Sequence, residues 1–173
     1  MGYAITACRL ILAGVFVLSA VEKVRAPKAF VDGVGSFRLL PERFVRAGAY
    51  AVLVGEVCSA GLLAFPQTAL AGFVLAAVVL ALFTAAIAQA IRRGLNVPCP
   101  CFGVSTAPVG PRHIIRNLIL IAVAVTGAAG IGLAGVHQHA AVAGIVIAAT
   151  LAAVVVLLVR FTDDLAGLFF PES

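Results

Sequence analysis

The chain has 173 residues, of which 63% are hydrophobic and only 11% are charged. Soluble domains carry about a quarter charged residues, and a chain of this size cannot hide so much apolar side chain from water. The composition therefore excludes an ordinary soluble domain and predicts a single membrane-embedded domain over residues 1–173 whose excess apolar surface faces lipid. The net charge is +5, but no basic stripe interleaved with aromatics suggests base stacking, so nucleic acid is not an expected partner.

Long apolar runs predict an all-α, polytopic helical bundle. A helix that spans a bilayer needs about 20 apolar residues. We expect spans at about residues 4–22, 47–65, 68–91, 112–136 and 140–160. A count of four spans stays open, because the glycines from Gly130 to Gly135 allow one longer, kinked helix in place of the last two.

The first connection, Lys23 to Arg46, carries basic side chains among apolar residues such as Phe30, Val34 and Phe37 at roughly helical spacing. This pattern predicts a short amphipathic helix that lies at the membrane surface with its Lys and Arg stems reaching the headgroups. The second connection is only Pro66-Gln67, so spans two and three are expected to form an antiparallel hairpin.

Span four is rich in small residues, which allow helices in lipid to approach closely. Its glycines are Gly127, Gly130, Gly132 and Gly135. We therefore expect close packing of this helix against a neighbour in the bundle, a partner protein or a second copy of the chain.

The segment from Leu95 to Pro111 is predicted to be a loop, because four prolines and two glycines interrupt any regular element. It contains Cys99-Pro100-Cys101.

Two nearby thiols form a strained disulfide that exchanges readily, and Pro100 fixes the backbone that presents them. The pattern indicates a redox pair, but two alternatives stay open. Thiolates also bind soft metals such as Cu(I) or Zn, although two thiolates do not complete a zinc site. The other alternative is that the two cysteines have no chemical role and are small apolar residues that are close by chance.

Glu56 lies well inside the second span, where a carboxylate is costly and usually faces a partner or a cavity. Lys23 and Arg116 lie at the span ends on the side of the cysteine loop and are its candidate partners. Cys8 and Cys58 lie in spans one and two, and a second thiol pair there would relay electrons. Inert packing is the alternative reading for such buried cysteines.

In chain order, Lys23, Leu40-Pro41, Glu56, Cys99-Pro100-Cys101-Phe102-Gly103 and Arg116-Asn117 form a pattern that resembles the MauE family. That family lies within the wider DoxX-like group of small membrane proteins. The resemblance covers roughly residues 5–131, and its most specific part is the Cys-x-Cys-Phe-Gly with the downstream Arg-Asn.

The resemblance implies a thiol–disulfide role in which Cys99 and Cys101 exchange with a thioredoxin-like partner. The MauE family is associated with methylamine utilisation, where its members are thought to help a thioredoxin-like protein form the disulfides of methylamine dehydrogenase in the periplasm. It also implies supporting roles for Pro100, Phe102, Gly103 and the polar residues of the pattern. A quinone is the candidate electron acceptor, and it would need an apolar lateral pocket near the dithiol. A soft-metal carrier and a non-catalytic assembly subunit are the alternative functions.

The two lines of reasoning disagree about the side on which the cysteine loop lies. With five spans, eleven of the twelve Lys and Arg residues, all except Arg9, share the face that carries this loop. The positive-inside rule then predicts that the loop is cytoplasmic in a bacterial plasma membrane. The resemblance implies an extracytoplasmic loop instead.

Overall fold

The computed structural model describes residues 2–95, 97, 109–134, 150, 153 and 154. Between residues 2 and 134 the described chain forms five helices and one short 3-10 turn. They are α1 (Gly2–Arg25), α2 (Pro27–Ser36), α3 (Glu42–Ala64), the turn Pro66–Thr68, α4 (Ala69–Arg92) and α5 (Pro111–Ala134). Within these ranges there is no strand, which confirms the all-α prediction.

Four helical segments are long and apolar enough to cross a membrane. They are Gly2–Arg25, Glu42–Ala64, Pro66–Arg92 and Pro111–Leu133. Each corresponds to one of the first four predicted spans, so the chain is a multi-pass membrane protein. The predicted fifth span, at about 140–160, lies outside the described residues except for Thr150, Ala153 and Val154, which are helical.

Helix α1 runs about a turn beyond the predicted end of the first span. The first predicted span ends at about residue 22, yet the helix continues to Arg25 and buries the side chain of Lys23. The physical reason is that Lys23 finds an anionic partner inside the bundle and so does not need to leave it. Pro27 then occupies the first turn of α2, where its missing N–H costs no hydrogen bond.

Helix α2 confirms the predicted short helix between the first two spans. It turns Phe30 and Gly33 inward, whereas Lys28 and Asp32 are exposed. Phe37, directly after α2, is also buried and packs against Ile87 of α4. One face of this amphipathic segment therefore caps the bundle at the end where α4 finishes.

The four long helices pack in the ring order α1, α3, α4, α5, with α1 and α4 diagonally opposite and barely touching. All four contribute fully buried side chains to the central core, which include Leu12 and Phe16 of α1, Leu63 of α3, Phe73 of α4 and Ala124 of α5. Large apolar side chains cover the outside of the bundle and remain exposed in the isolated chain. Examples are Val54, Val57, Leu82, Ile119 and Val125. Such an exterior is suited to lipid rather than water.

Close approach of α5 to α4 depends on Gly127. A Cβ at this position would collide with the ring of Phe73, which is completely buried. By contrast, Gly132 faces outward with no atom close to its missing Cβ. The predicted role of small residues in span four is thus specific to one face of the helix.

Positive charge is strongly polarised along the bundle. In the described part of the chain, every Lys and Arg except Arg9 lies at or near the end where α4 finishes and α5 begins. Arg9 lies near the other end and donates from Nε to the Leu63 carbonyl, at 3.0 Å, and from Nη2 to the Ala64 carbonyl, at 2.9 Å. These are two of the carbonyls that the last turn of a helix leaves unpaired, so Arg9 caps α3.

Candidate functional site

A buried ion pair connects α1 to α3. Ser19 and Lys23 are four residues apart and therefore lie on one face of α1, which packs against the face of α3 that carries Glu56. Lys23 Nζ lies 2.8 Å from Glu56 Oε1, and both side chains are almost completely buried. Ser19 Oγ donates to the same carboxylate oxygen at 3.0 Å and accepts a hydrogen bond from Lys23 Nζ. The ammonium charge is thus held by a carboxylate and a hydroxyl together.

Two aromatic rings close the site around the ammonium group. Lys23 Nζ lies 5.2 Å from the centroid of the Phe30 ring and 5.5 Å from that of Phe83. The faces of aromatic rings attract cations at such distances. Because Phe30 belongs to α2 and Phe83 to α4, four elements in all contribute to the surroundings of this one charge.

Helix α5 contributes Asn117, which is 3% exposed, to the same region. Asn117, Glu56 and Ser19 line a cavity of about 20 Å³ between the helices, together with apolar side chains. Asn117, one of the two residues of the Arg116-Asn117 motif, therefore lines the same cavity as Glu56. Arg116 is half-buried in the same turn of α5, and the partner of Glu56 that the structure shows is the other candidate, Lys23.

His113 is a second buried polar residue of α5, one turn before Asn117 on the same face. It is 1% exposed, and Arg112 Nε donates to its Nε2 at 3.4 Å. The polar pattern that the sequence suggests contains neither His113 nor Ser19. In both cases the available signal was spacing, because each lies four residues before a polar residue of the pattern.

The cysteine loop begins and ends at one point of the bundle. Gly94, with φ of +65°, terminates α4, and the Leu95 N–H bonds to the Ala90 carbonyl as in a Schellman cap. The Val109 N–H donates to the Val97 carbonyl at 2.9 Å, immediately before α5. Cys99, Pro100, Cys101, Phe102 and Gly103 all fall between these two valines and lie outside the described residues.

The base of this loop packs into a second apolar cluster at the charged end of the bundle. Leu95, Val97 and Val109 pack against the buried side chains of Phe37 and Ile87. An apolar groove of about 430 Å³ shares these two side chains and opens between α3, α4 and the segment that joins α2 to α3. An apolar groove therefore exists next to the anchoring points of the cysteine loop.

The other two cysteines are free thiols. Cys8 is half-buried and packs against the central core, whereas Cys58 is exposed on the outside of α3. The second thiol pair that we considered for them stays a prediction. Among the described residues, no cluster of three or more His, Cys, Asp or Glu side chains could hold a metal ion. The soft-metal alternative concerns Cys99 and Cys101, to which this finding does not extend.

Fold and site together define a class: a small multi-pass membrane protein with a polar cluster buried among α1, α3 and α5, and a cysteine loop anchored between α4 and α5. The family model described as "Methylamine utilisation protein MauE" matches residues 1–130. A protein from Paracoccus denitrificans named "Methylamine utilization protein MauE" is 36% identical over 128 residues, which cover 72% of this chain and 68% of the relative. The chain belongs to the MauE family. No solved structure matches it.

Proposed function

We propose that this protein carries out thiol–disulfide exchange at the membrane through Cys99 and Cys101. The observation that carries the proposal is the anchoring of the loop. The Val97–Val109 hydrogen bond brings together the two ends of the segment that holds both cysteines, at the rim of a bundle whose family is now established. Such an arrangement supports a dithiol that is presented to a soluble partner while its flanks stay fixed.

The exchange balances as a two-electron transfer. A thiolate of the partner dithiol attacks the Cys99–Cys101 disulfide, and one cysteine leaves as a thiolate while a mixed disulfide forms. The partner's second thiolate then attacks this mixed disulfide and releases the other cysteine. The partner ends as a disulfide, Cys99 and Cys101 end as thiols, and the two protons of the partner pass to them. The reverse sequence reduces the partner.

The partner in this proposal is a thioredoxin-like protein, and the process is maturation of the methylamine-utilisation type. Support for this step comes from the family alone, because the relative in Paracoccus denitrificans is named for methylamine utilisation. The protein would act in the plasma membrane of a bacterium. The polarised basic residues support a cytoplasmic cysteine loop by the positive-inside rule, whereas disulfide formation in the periplasm requires this loop on the outer face.

A quinone is the oxidant that we propose for the dithiol when the exchange runs toward disulfide formation. The two thiols lose two electrons and two protons, an S–S bond forms, and the quinone becomes a quinol. The groove lined by Phe37 and Ile87 supports this assignment, because it is apolar and opens between helices that face lipid. The same two side chains belong to the cluster against which the base of the cysteine loop packs.

Trapping of the cysteines tests the proposal directly. Thiols of the full-length protein are alkylated before and after reduction, and the number of modified cysteines is counted by mass. We expect two cysteines that become reactive only after reduction, and a trapped mixed disulfide when Cys99→Ser or Cys101→Ser is expressed with the partner. The matched control is Cys58→Ser, which removes an exposed thiol outside the loop and should leave both results unchanged.

A pair that is always reduced and never exchanges would contradict the proposal. Stoichiometric copper or zinc that is lost in Cys99→Ser would indicate soft-metal handling instead. Full biological activity of the double Cys→Ser variant would indicate an assembly subunit.

A further inference from the structure

A small internal cavity lies at the junction of α1, α3, α4 and α5. Its volume is about 20 Å³. The polar part of its lining comes from Ser19, Glu56 and Asn117, and the rest is apolar: Val15, Phe16, Leu80, Phe83 and Leu120. A cavity needs roughly 10–15 Å³ to hold one water molecule, so this one accommodates a single water and excludes any organic ligand.

Two polar atoms of the residues that line this cavity have no hydrogen-bond partner in the part of the chain that the structure describes. Glu56, which is 1% exposed, uses Oε1 for both Ser19 and Lys23, and its Oε2 has no partner among the described residues. Asn117, which is 3% exposed, likewise has no partner in the described chain for Nδ2. Buried polar atoms are almost always paired, with protein groups or with ordered water.

We propose that the cavity is a binding site for one water molecule that joins Asn117 to Glu56. The water accepts a hydrogen bond from Asn117 Nδ2 and donates one to Glu56 Oε2. An amide N–H only donates and a carboxylate only accepts, so the ligand must do both, as water does.

Charge excludes the other small occupants. A metal cation would face the Lys23 ammonium group, which already lies 2.8 Å from the carboxylate, as well as the donor side of the Asn117 amide. An anion such as chloride would face the carboxylate of Glu56 at close range. A neutral molecule with one donor and one acceptor meets neither repulsion.

The bound water extends the ion pair to a third helix. Lys23 of α1, Glu56 of α3 and Asn117 of α5 then form one hydrogen-bonded chain across the bundle. The inference depends only on described residues and is independent of the cysteines, so it stands or falls separately from the redox proposal.

A double-mutant cycle tests the site. Asn117→Leu removes the donor at similar volume, Glu56→Gln changes the carboxylate, and the unfolding equilibrium of the full-length protein is measured for both variants and for their combination. Each variant raises the equilibrium constant of unfolding by some factor. With the water in place, the factor for the double variant is smaller than the product of the two single factors by more than about threefold. If the factor for the double variant lies within about threefold of that product, the proposal is overturned.

Thr126→Val is the matched control on α5, because the Thr126 hydroxyl bonds within its own helix, to the Ala122 carbonyl at 2.8 Å. The effects of Thr126→Val and Glu56→Gln on the unfolding equilibrium constant should simply multiply in the double variant. If Thr126→Val is coupled to Glu56→Gln as strongly as Asn117→Leu is, the proposal is also overturned. If Glu56→Gln does not fold, a structure of the unmodified protein at a resolution that shows ordered water decides the question. A density peak for water within hydrogen-bond distance of Asn117 Nδ2 and Glu56 Oε2 supports the site, and an empty cavity overturns it.

Discussion

Lys23 Nζ and Glu56 Oε1 lie 2.8 Å apart inside the helical bundle, with side chains that are 1% and 2% exposed. The two residues are brought together by α1 and α3, whose membrane-spanning segments run in opposite directions. Both charges are buried away from bulk solvent, so each depends mainly on the other for compensation. This pair therefore fixes how α1 and α3 are placed relative to each other.

Breaking this ion pair from one side should be strongly destabilising. Lys23→Met leaves the Glu56 carboxylate buried without its cation, and we expect a loss of about 3–5 kcal/mol in the free energy of unfolding. The double variant Lys23→Met with Glu56→Gln should recover part of that loss, because no full charge is then left uncompensated. Unfolding of both variants in detergent micelles measures the effect, and equal stability of the single and double variants would contradict it.

Arg9 should stabilise the end of α3 through the two carbonyls that it caps. Arg9→Leu removes the hydrogen bonds to Leu63 and Ala64, and we expect a loss of about 1–3 kcal/mol. Arg9→Lys should recover only part of it, because an ammonium group lacks the planar fork of the guanidinium group. Thermal unfolding compares the two, and the idea fails if Arg9→Leu unfolds like the parent protein.

Gly127 and Gly132 form a matched pair for testing the packing of α5. Gly127→Ala places a methyl group against the Phe73 ring, and we expect a loss of about 1–3 kcal/mol from overpacking. Gly132→Ala meets no atom, and the higher helix propensity of alanine should leave stability unchanged or raise it by up to about 1 kcal/mol. Unfolding midpoints measure both, and a similar response of the two variants would refute the packing role.

Filling the apolar groove should slow the quinone step and nothing else. Ala51 lines the groove, and Ala51→Phe places a ring in the space that we assign to the quinone. We expect at least a tenfold slower reoxidation of the dithiol by added quinone, which corresponds to a rise of about 1.4 kcal/mol in the activation free energy. Val57→Phe is the control, since Val57 is 53% exposed on the same helix but does not line the groove. Equal reoxidation rates for the two variants would show that the quinone does not bind in the groove.

The side of the membrane on which the cysteine loop lies can be measured by labelling. We expect a membrane-impermeant thiol reagent to reach Cys99 and Cys101 only after the cells are opened, as the distribution of basic residues predicts. The variant used lacks Cys8 and Cys58, so that only the loop cysteines react. Labelling of intact cells would instead place the loop outside, as the family resemblance implies.

Local sequence was sufficient to predict the helices but not all of their ends. The apolar run of the first span predicted α1, yet it placed the end before Lys23, since a charge normally ends such a run. Only the position of Glu56 in the folded bundle explains why the helix continues. Similarly, the prolines and glycines predicted a loop from Leu95 to Pro111, but the backbone bond between Val97 and Val109 depends on how α4 and α5 pack.

The sequence by itself determined that the chain is a multi-pass membrane bundle with polarised charge, because hydropathy and loop charge are local properties. It also singled out Cys99-Pro100-Cys101 and the intramembrane Glu56 as the chemically unusual points of the chain. Only the tertiary structure decided that Lys23 is the partner of Glu56 and that Ser19 and Asn117 share its surroundings. These contacts join residues that are far apart in the chain, and helix packing in three dimensions, not spacing along the sequence, fixes which buried polar groups meet.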